Sequence, residues 1–304
     1  MALDADYLID RRRLKRRLSF WRGLGILAVL LAALAAFGRF SDFGSRDYVA
    51  RHSVGGLIAD DPRRHRTLAA IARDDDARAL IVHINSPGGT LAGGEALYRS
   101  LRAVAGRKPV VAVLGGVATS AGYMAAIAAD RLVARRSTIT GSIGVVMHMT
   151  EISGLLETLG VGAETIRSGP LKAMPSGFEE LSDDGRRVLQ ALIADGHAMF
   201  LELVAERRAL DDAALTSVAD GRVLTGRQAL EAGLVDAIGG ETEALSWLEN
   251  EKGIARGLPV RDVGGGGGRL GRMLDRVAAL GERTIFSERL TLDGLVSVWH
   301  AEIR

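Results

Sequence analysis

Cysteine is absent from the 304 residues, which excludes disulfides, thiolate metal ligands and a cysteine nucleophile while leaving the redox compartment open. Net charge is nearly absent too. Thirty-nine Lys and Arg against 37 Asp and Glu leave +2, too little for a general attraction to nucleic acid. The six histidines are scattered and none falls in an HExxH or similar ligand spacing, so no metal and no cofactor is expected. No internal repeat is present, and the chain holds one copy of whatever unit it builds. What is there is a globular composition, 47% hydrophobic and 25% charged, with an apolar excess of local origin.

That origin is residues 20–37. Arg11, Arg12, Arg13, Lys15, Arg16 and Arg17 precede an apolar run with Trp21, Arg22 and Arg39 at its margins. About 18 residues at 1.5 Å rise cover roughly 27 Å, enough for the hydrocarbon core of a bilayer. The expected layout is a basic cytoplasmic segment at 1–19, a transmembrane anchor at 20–38 and a linker at 39–47. The positive-inside rule then places everything beyond on the far side, periplasmic or extracellular, of a bacterial inner membrane. Lipid is thus an expected partner. The rival reading is a cleaved signal peptide, for which Ala33-Leu34-Ala35 offers a small-residue cleavage site; the long polar start and the length of the apolar run favour the anchor.

From Tyr48 short apolar runs alternate with helical patterns: a strand at 79–84, a helix at 91–105, a strand at 110–114, a helix at 120–128, and short strands at 131–134 and 144–147. A helix follows at 152–159, and 181–208 carries a long amphipathic pattern. Continuous apolar strands of this kind belong to an α/β fold whose parallel sheet is covered on both faces. The expected domain is 48–260. Five glycines at 264–268 then link a C-terminal helical tail, 261–304, whose Met273, Val277 and Leu280 share a helical face and whose second apolar group includes Leu295, Val296, Val298 and Trp299. Packing on the body, a partner and the membrane surface all stay open as roles for the tail.

Three segments at expected strand ends carry chemistry. Asn85-Ser86-Pro87-Gly88-Gly89 reads as a tight turn whose amides can face an anion. Thr119-Ser120-Ala121-Gly122 puts a serine among small neighbours at a strand-to-helix junction, where an N-cap is the ordinary role. Ser168-Gly169-Pro170-Leu171-Lys172 follows a strand-like Glu164-Thr165-Ile166 and offers a lysine, ordinarily a solvated charge, that burial could turn into a base.

Taken in order with Thr140-Gly141-Ser142-Ile143-Gly144-Val145, Gly221-Arg222-Val223-Leu224-Thr225-Gly226 and Gly233-Leu234-Val235-Asp236, these segments resemble the signal peptide peptidase A family of serine peptidases. The resemblance runs from about 54 to 240. It implies a Clp protease/crotonase-like β-α superhelix and a Ser/Lys dyad, Ser120 as nucleophile and Lys172 as general base. It further implies an oxyanion hole from the amides of Gly89 and Ala121, with Gly88 in the supporting turn and Ser142 orienting the lysine. The implied substrates are signal peptides and other extended, small or apolar peptides. The implied assembly is a homo-oligomeric ring in which Ser120 and Lys172 of neighbouring copies meet. Two positions depart from the family pattern: Ala121 stands where a glycine is usual, and Ala173 where an acidic residue commonly follows the lysine.

Other readings remain at this level. A Clp-type triad would take His148 with Asp130 or Asp184, and replacing His148 tests it. Crotonase-like acyl-CoA enzymes share the glycine-turn logic but need neither anchor nor serine. A non-catalytic membrane scaffold needs no dyad, yet both dyad residues are present.

Overall fold

The computed structural model describes residues 20–30, 47–264 and 296–298. Met1–Arg46 and Asp47–Arg304 form separate units. In the first, helix α1 (Phe20–Leu30) is described and its large apolar side chains are exposed. The basic segment 1–19, the rest of the expected anchor at 31–38, the linker at 39–46 and the tail at 265–295 and 299–304 lie outside the described residues.

The second unit opens with β1 (Tyr48–Ile58), α2 (Pro62–Arg73), β2 (Ala77–Thr90), α3 (Leu91–Ala105), β3 (Val110–Thr119) and α4 (Ala121–Ala126). It continues through β4 (Arg131–Ala134), β5 (Ile139–Gly141), α5 (Ser153–Thr158), α6 (Asp183–Arg208) and α7 (Asp212–Val218). β6 (Val223–Thr225), α8 (Gly226–Glu231), β7 (Ala237–Ile238), α9 (Glu241–Glu251), β8 (Val260–Asp262) and β9 (Val296–Val298) follow. The sheet runs β6-β5-β3-β2-β1-β8, with β4 beside β3 and β7 beside β4. Its pairings are parallel except β5 with β6 and β2 with β9.

Strand alternation explains the layers. Leu80, Val82, Ala112 and Leu114 face one core with Leu97 and Leu101 of α3, Met124 of α4 and Phe200 of α6. Ala79, Ile81, Val111 and Val113 face the other, closed by Ala244, Trp247 and Leu248 of α9. Because successive side chains point to opposite faces, a strand covered on both sides must be apolar at every position, which is the pattern of 79–84 and 110–114.

β3 serves two neighbours in turn. Val111 to Leu114 pair with β4, and Val117 to Thr119 pair with β5. Gly115 and Gly116 form the joint: a Cβ on Gly115 would lie 2.9 Å from the Asn85 side chain. There the Asn85 Oδ1 accepts from Val117 N at 3.2 Å.

α6 has 26 residues and a window of mean hydropathy 1.4, so by length and composition it could cross a membrane. Its contacts place it on the domain instead. Gly196, Phe200 and Val204 are buried, Arg207 donates to the carbonyls of Ile127 and Ala129 at 3.0 and 3.1 Å, and Arg208 donates to Gly233 O at 2.9 Å.

Two strands read from the sequence differ here. Residues 144–147 form only an isolated bridge at Val146, because positive φ at Gly141 and Ser142 turns the chain out of the sheet. Residues 164–166 are loop, and Ile166 is 93% exposed, with no sheet edge to join.

His52 of β1 is buried, and its Nδ1 lies 2.9 Å from Val263 O, so Nδ1 carries a hydrogen and donates it. Burial lowers its pKa, Arg64 adds to the effect, and the Val263 contact and Asp61 oppose it. As pH falls, the unfolded chain therefore takes up the proton first. The stabilisation is complete above the ordinary value of about 6.5 and is lost as pH drops from there toward the folded value. Urea midpoints of wild type and His52→Gln, compared at pH 7.5 and 5.5, test this. Wild type should lose stability on acidification by at most about 1.4 kcal/mol per pH unit from this ring, and the variant should lose less; equal losses would dismiss the role of His52.

Candidate active site

The segment Asn85 to Gly89 is not a turn. β2 stays extended to Thr90, parallel to β1, with a register break between Gly55 opposite Asn85 and Leu57 opposite Gly88. The backbones come so close that a Cβ on Gly89 would sit 1.8 Å from Ile58 O, so residue 89 must be glycine. Gly88 has φ 118°, a conformation that L side chains rarely adopt.

Hydroxyls hold this strand end in place. The buried Ser86 Oγ donates to Gly56 O at 2.6 Å and accepts from Gly88 N at 3.1 Å. Thr119 Oγ1 donates to Pro87 O at 3.0 Å. The strand end that carries the two glycines is thus tied to two different strands, the kind of rigidity an oxyanion site requires.

Ser120 follows directly. Its φ of 56° and ψ of −121° make a sharp corner between β3 and α4, an unusual conformation for a residue with a side chain. Its N–H donates to Gly141 O at 2.8 Å, and its side chain makes no capping hydrogen bond to α4. The ordinary N-cap role is therefore not the one this serine has. Gly122 allows the helix start to press against the strand end, since a Cβ there would meet Ser86 O at 3.0 Å.

Ser142 has φ 52° and donates its N–H to Arg222 O at 2.8 Å. Antiparallel pairing of β6 with β5 sets that position, Gly141 opposite Val223. Ser120 and Ser142 line one cavity of about 480 Å³. Ile143, Val145, Val146 and Ile193 give it apolar walls, and Gln190, His197 and Asp220 give it polar ones.

Lys172 is not there. It is exposed, on a turn closed by its own N–H to Gly169 O at 3.1 Å, and it does not line the cavity. In the stretch 155–178 that contains it, Leu155, Leu159, Val161, Ile166, Leu171 and Phe178 are exposed as well. His148 is exposed and also absent from the lining. Asp130 accepts from Val110 N at 2.9 Å, at the end of β3 opposite Ser120, and Asp184 pairs with Arg187 on the surface of α6. The structure does not assemble that triad within one copy.

His197 is the site residue that the sequence reading missed. It lies on α6, and its Nε2 is buried with no hydrogen-bond partner among the described residues. The signal was its spacing: Gln190, Ile193 and His197 share one helix face, all of it on the cavity. Among the described residues no group of His, Asp and Glu could hold a metal ion.

The sequence model of Peptidase family S49 matches residues 102–255. A Synechocystis sp. relative named as a protease, slr0021, is 38% identical over 212 residues, covering 69% of this chain and 76% of that one. An Enterococcus faecium relative named as signal peptide peptidase SppA is 33% identical over 222 residues, covering 68% of this chain and 64% of that one. The chloroplastic serine protease SPPA of Arabidopsis thaliana is 33% identical over 225 residues, 69% of this chain and 33% of the relative. A solved mutant of the 1510-N membrane-bound stomatin-specific protease aligns with a TM-score of 0.48 at 15% identity, over 72% of this chain and 98% of that one.

Ser86→Ala removes the hydroxyl that ties β2 to Gly56 and Gly88. It should lower stability by about 1–3 kcal/mol and speed hydrogen exchange at the Gly88 amide. A variant with the wild-type urea midpoint and unchanged exchange at Gly88 would show that the hydroxyl is not the anchor.

Proposed function

We propose, since this chain belongs to Peptidase family S49 and is a serine peptidase, that Ser120 is its nucleophile and that Lys172 of a neighbouring copy is its general base. One observation carries the reading: among the described residues no lysine lines the cavity at Ser120, while Lys172 stands exposed in a segment, 155–178, that also exposes six large apolar side chains. A lysine is a base only when neutral, and burial favours that form. Apolar side chains in that number are ordinarily covered by another protein surface. A ring of copies that brings the Lys172 surface of one against the Ser120 cavity of the next satisfies both demands.

The chemistry then runs in two halves. The Ser120 hydroxyl gives its proton to the neutral lysine amine as Oγ bonds to the peptide carbonyl carbon. The oxyanion is held by the amides of Gly89 and Ala121, and Gly88 shapes the strand that presents the first of them. The lysine returns the proton to the leaving amine as the C–N bond breaks. Water then gives a proton to the same lysine as its oxygen bonds to the acyl carbon, and the lysine returns that proton to Ser120 Oγ as the ester bond breaks. Ser142, lining the same cavity, accepts from or donates to the amine and orients it.

The apolar cavity wall and the strand-like approach suit extended peptides with small or apolar side chains, signal peptides among them. The run at 20–38 would anchor the chain in the bacterial inner membrane, its N-terminus cytoplasmic and its peptidase domain outside, next to such substrates.

His197 supports a second reading, in which the base comes from the same copy, because it shares the cavity with Ser120. Turnover of an apolar fluorogenic peptide separates the two. Ser120→Ala and Lys172→Ala should each lose about 10³-fold or more, and His197→Ala should stay within about tenfold of wild type. Ser120→Ala and Lys172→Ala subunits, dissociated and reassembled at 1:1, should regain about a quarter of wild-type turnover, because a quarter of the sites then pair an intact serine with an intact lysine. An inert mixture together with an inactive His197→Ala would transfer the base to His197.

A further inference from the structure

β3 leaves the sheet where the active site begins. Its last partner on β2 is Ser86, opposite Ala118, and at Ser120 the chain turns into α4. β1 continues alongside β2, with Leu57 opposite Gly88 and Ile58 opposite Gly89. Beyond Ser86, then, β2 has one edge against β1 and a second edge that β3 no longer covers. A strand edge of this kind presents backbone N–H and C=O groups in a row, a template for another extended chain.

That second edge is taken by β9. Val296 pairs with Thr90, Ser297 with Gly89 and Val298 with Gly88, antiparallel. β9 belongs to the tail that follows the five glycines at 264–268, beyond the residues 102–255 that match the family model. Its two valines are β-branched and favour extended backbone.

We propose that the Gly88–Thr90 edge is a docking surface for an extended antiparallel peptide and that its resident occupant is this chain's own segment Val296–Val298, which substrate must displace. The proposal rests on the reading of Gly89 as an oxyanion donor in one respect: the register sets Ser297 directly opposite Gly89, so the tail and a substrate strand crossing the oxyanion site need the same edge. Covalent attachment through residues 265–295 makes docking intramolecular. A tethered segment is present at an effective concentration in the millimolar range, so even a weak three-residue pairing holds the edge a large part of the time. The tail then acts as a built-in competitor: it raises the peptide concentration needed for half-maximal turnover and leaves the chemical step unchanged.

Successive N–H groups on a strand point to opposite edges, so one of the amides at 297 and 298 faces β2. Ser297→Pro with Val298→Pro in the full chain removes it whichever it is, and keeps the length of the tail. Two measurements follow. For turnover of an extended apolar fluorogenic peptide, KM should fall about fivefold with kcat within about twofold of wild type. In a Ser120→Ala background, a fluorescein-labelled peptide of sequence 294–301 should bind the proline variant about fivefold more tightly than the unsubstituted tail, by anisotropy. The second readout needs no catalysis, so it decides the proposal even where the peptidase reading fails. Equal binding to both chains, or no binding to either, would overturn it. Val296→Asp with Val298→Asp, which keeps every amide, serves if the proline variant melts below wild type, and it should show the same release.

Discussion

The site depends on how closely the end of β2 approaches Ile58. At 1.8 Å there is no room for a Cβ on residue 89, and the neighbouring register break puts Gly88 at positive φ. Backbone packed this tightly cannot relax without shifting β1, so the amides of the strand end are stiff by construction. The corner at Ser120 leans on the same strand: Thr119 bonds Pro87, and Gly122 lets α4 press to within contact of Ser86. Ser120 and the strand-end amides are therefore positioned by one another and not by independent loops.

Other motifs that carry the family resemblance serve the scaffold. Asp236, in Gly233-Leu234-Val235-Asp236, accepts from Leu132 N at 2.7 Å and holds Arg208 through both carboxylate oxygens at 2.8 and 3.1 Å. The fully buried Tyr123, three residues after the serine, donates to Leu234 O at 2.9 Å, and burial pushes its phenol well above the usual range. These bonds lock α4, β4 and α6 together, so that the helix behind Ser120 cannot rotate. A buried guanidinium whose carboxylate is removed is costly, on the order of 3–5 kcal/mol, which makes Asp236 as necessary to the site as residues nearer to it.

Much of the fold was readable because the strands are covered on both faces and therefore uninterrupted in the sequence. The helix expected at 91–105 and the strand at 131–134 coincide with α3 and β4. The extended course of Asn85 to Gly89 was not readable, since a Ser-Pro-Gly-Gly run is ordinarily a turn and only the hidden contact with Ile58 keeps it straight. The loop at 164–166 misled for the opposite reason: a β-favouring Thr-Ile pair has no strand beside it. The motif order located Ser120 and Ser142 in one cavity. Lys172 stays outside that cavity within one copy, as a site shared between neighbouring copies would require, whereas His197 inside it was not readable, because a single histidine on an amphipathic helix is ordinarily a packing residue.

The apolar side chains exposed in the segment 155–178, which contains Lys172, have a bearing on cellular upkeep. Apolar surface in that amount, left in solvent, is what chaperones and degradative enzymes recognise. On the proposed assignment, a copy separated from its fellows would show this surface and would have no lysine at Ser120. A stray subunit would then be harmless and conspicuous together, and quality control of the assembly would need no separate tag.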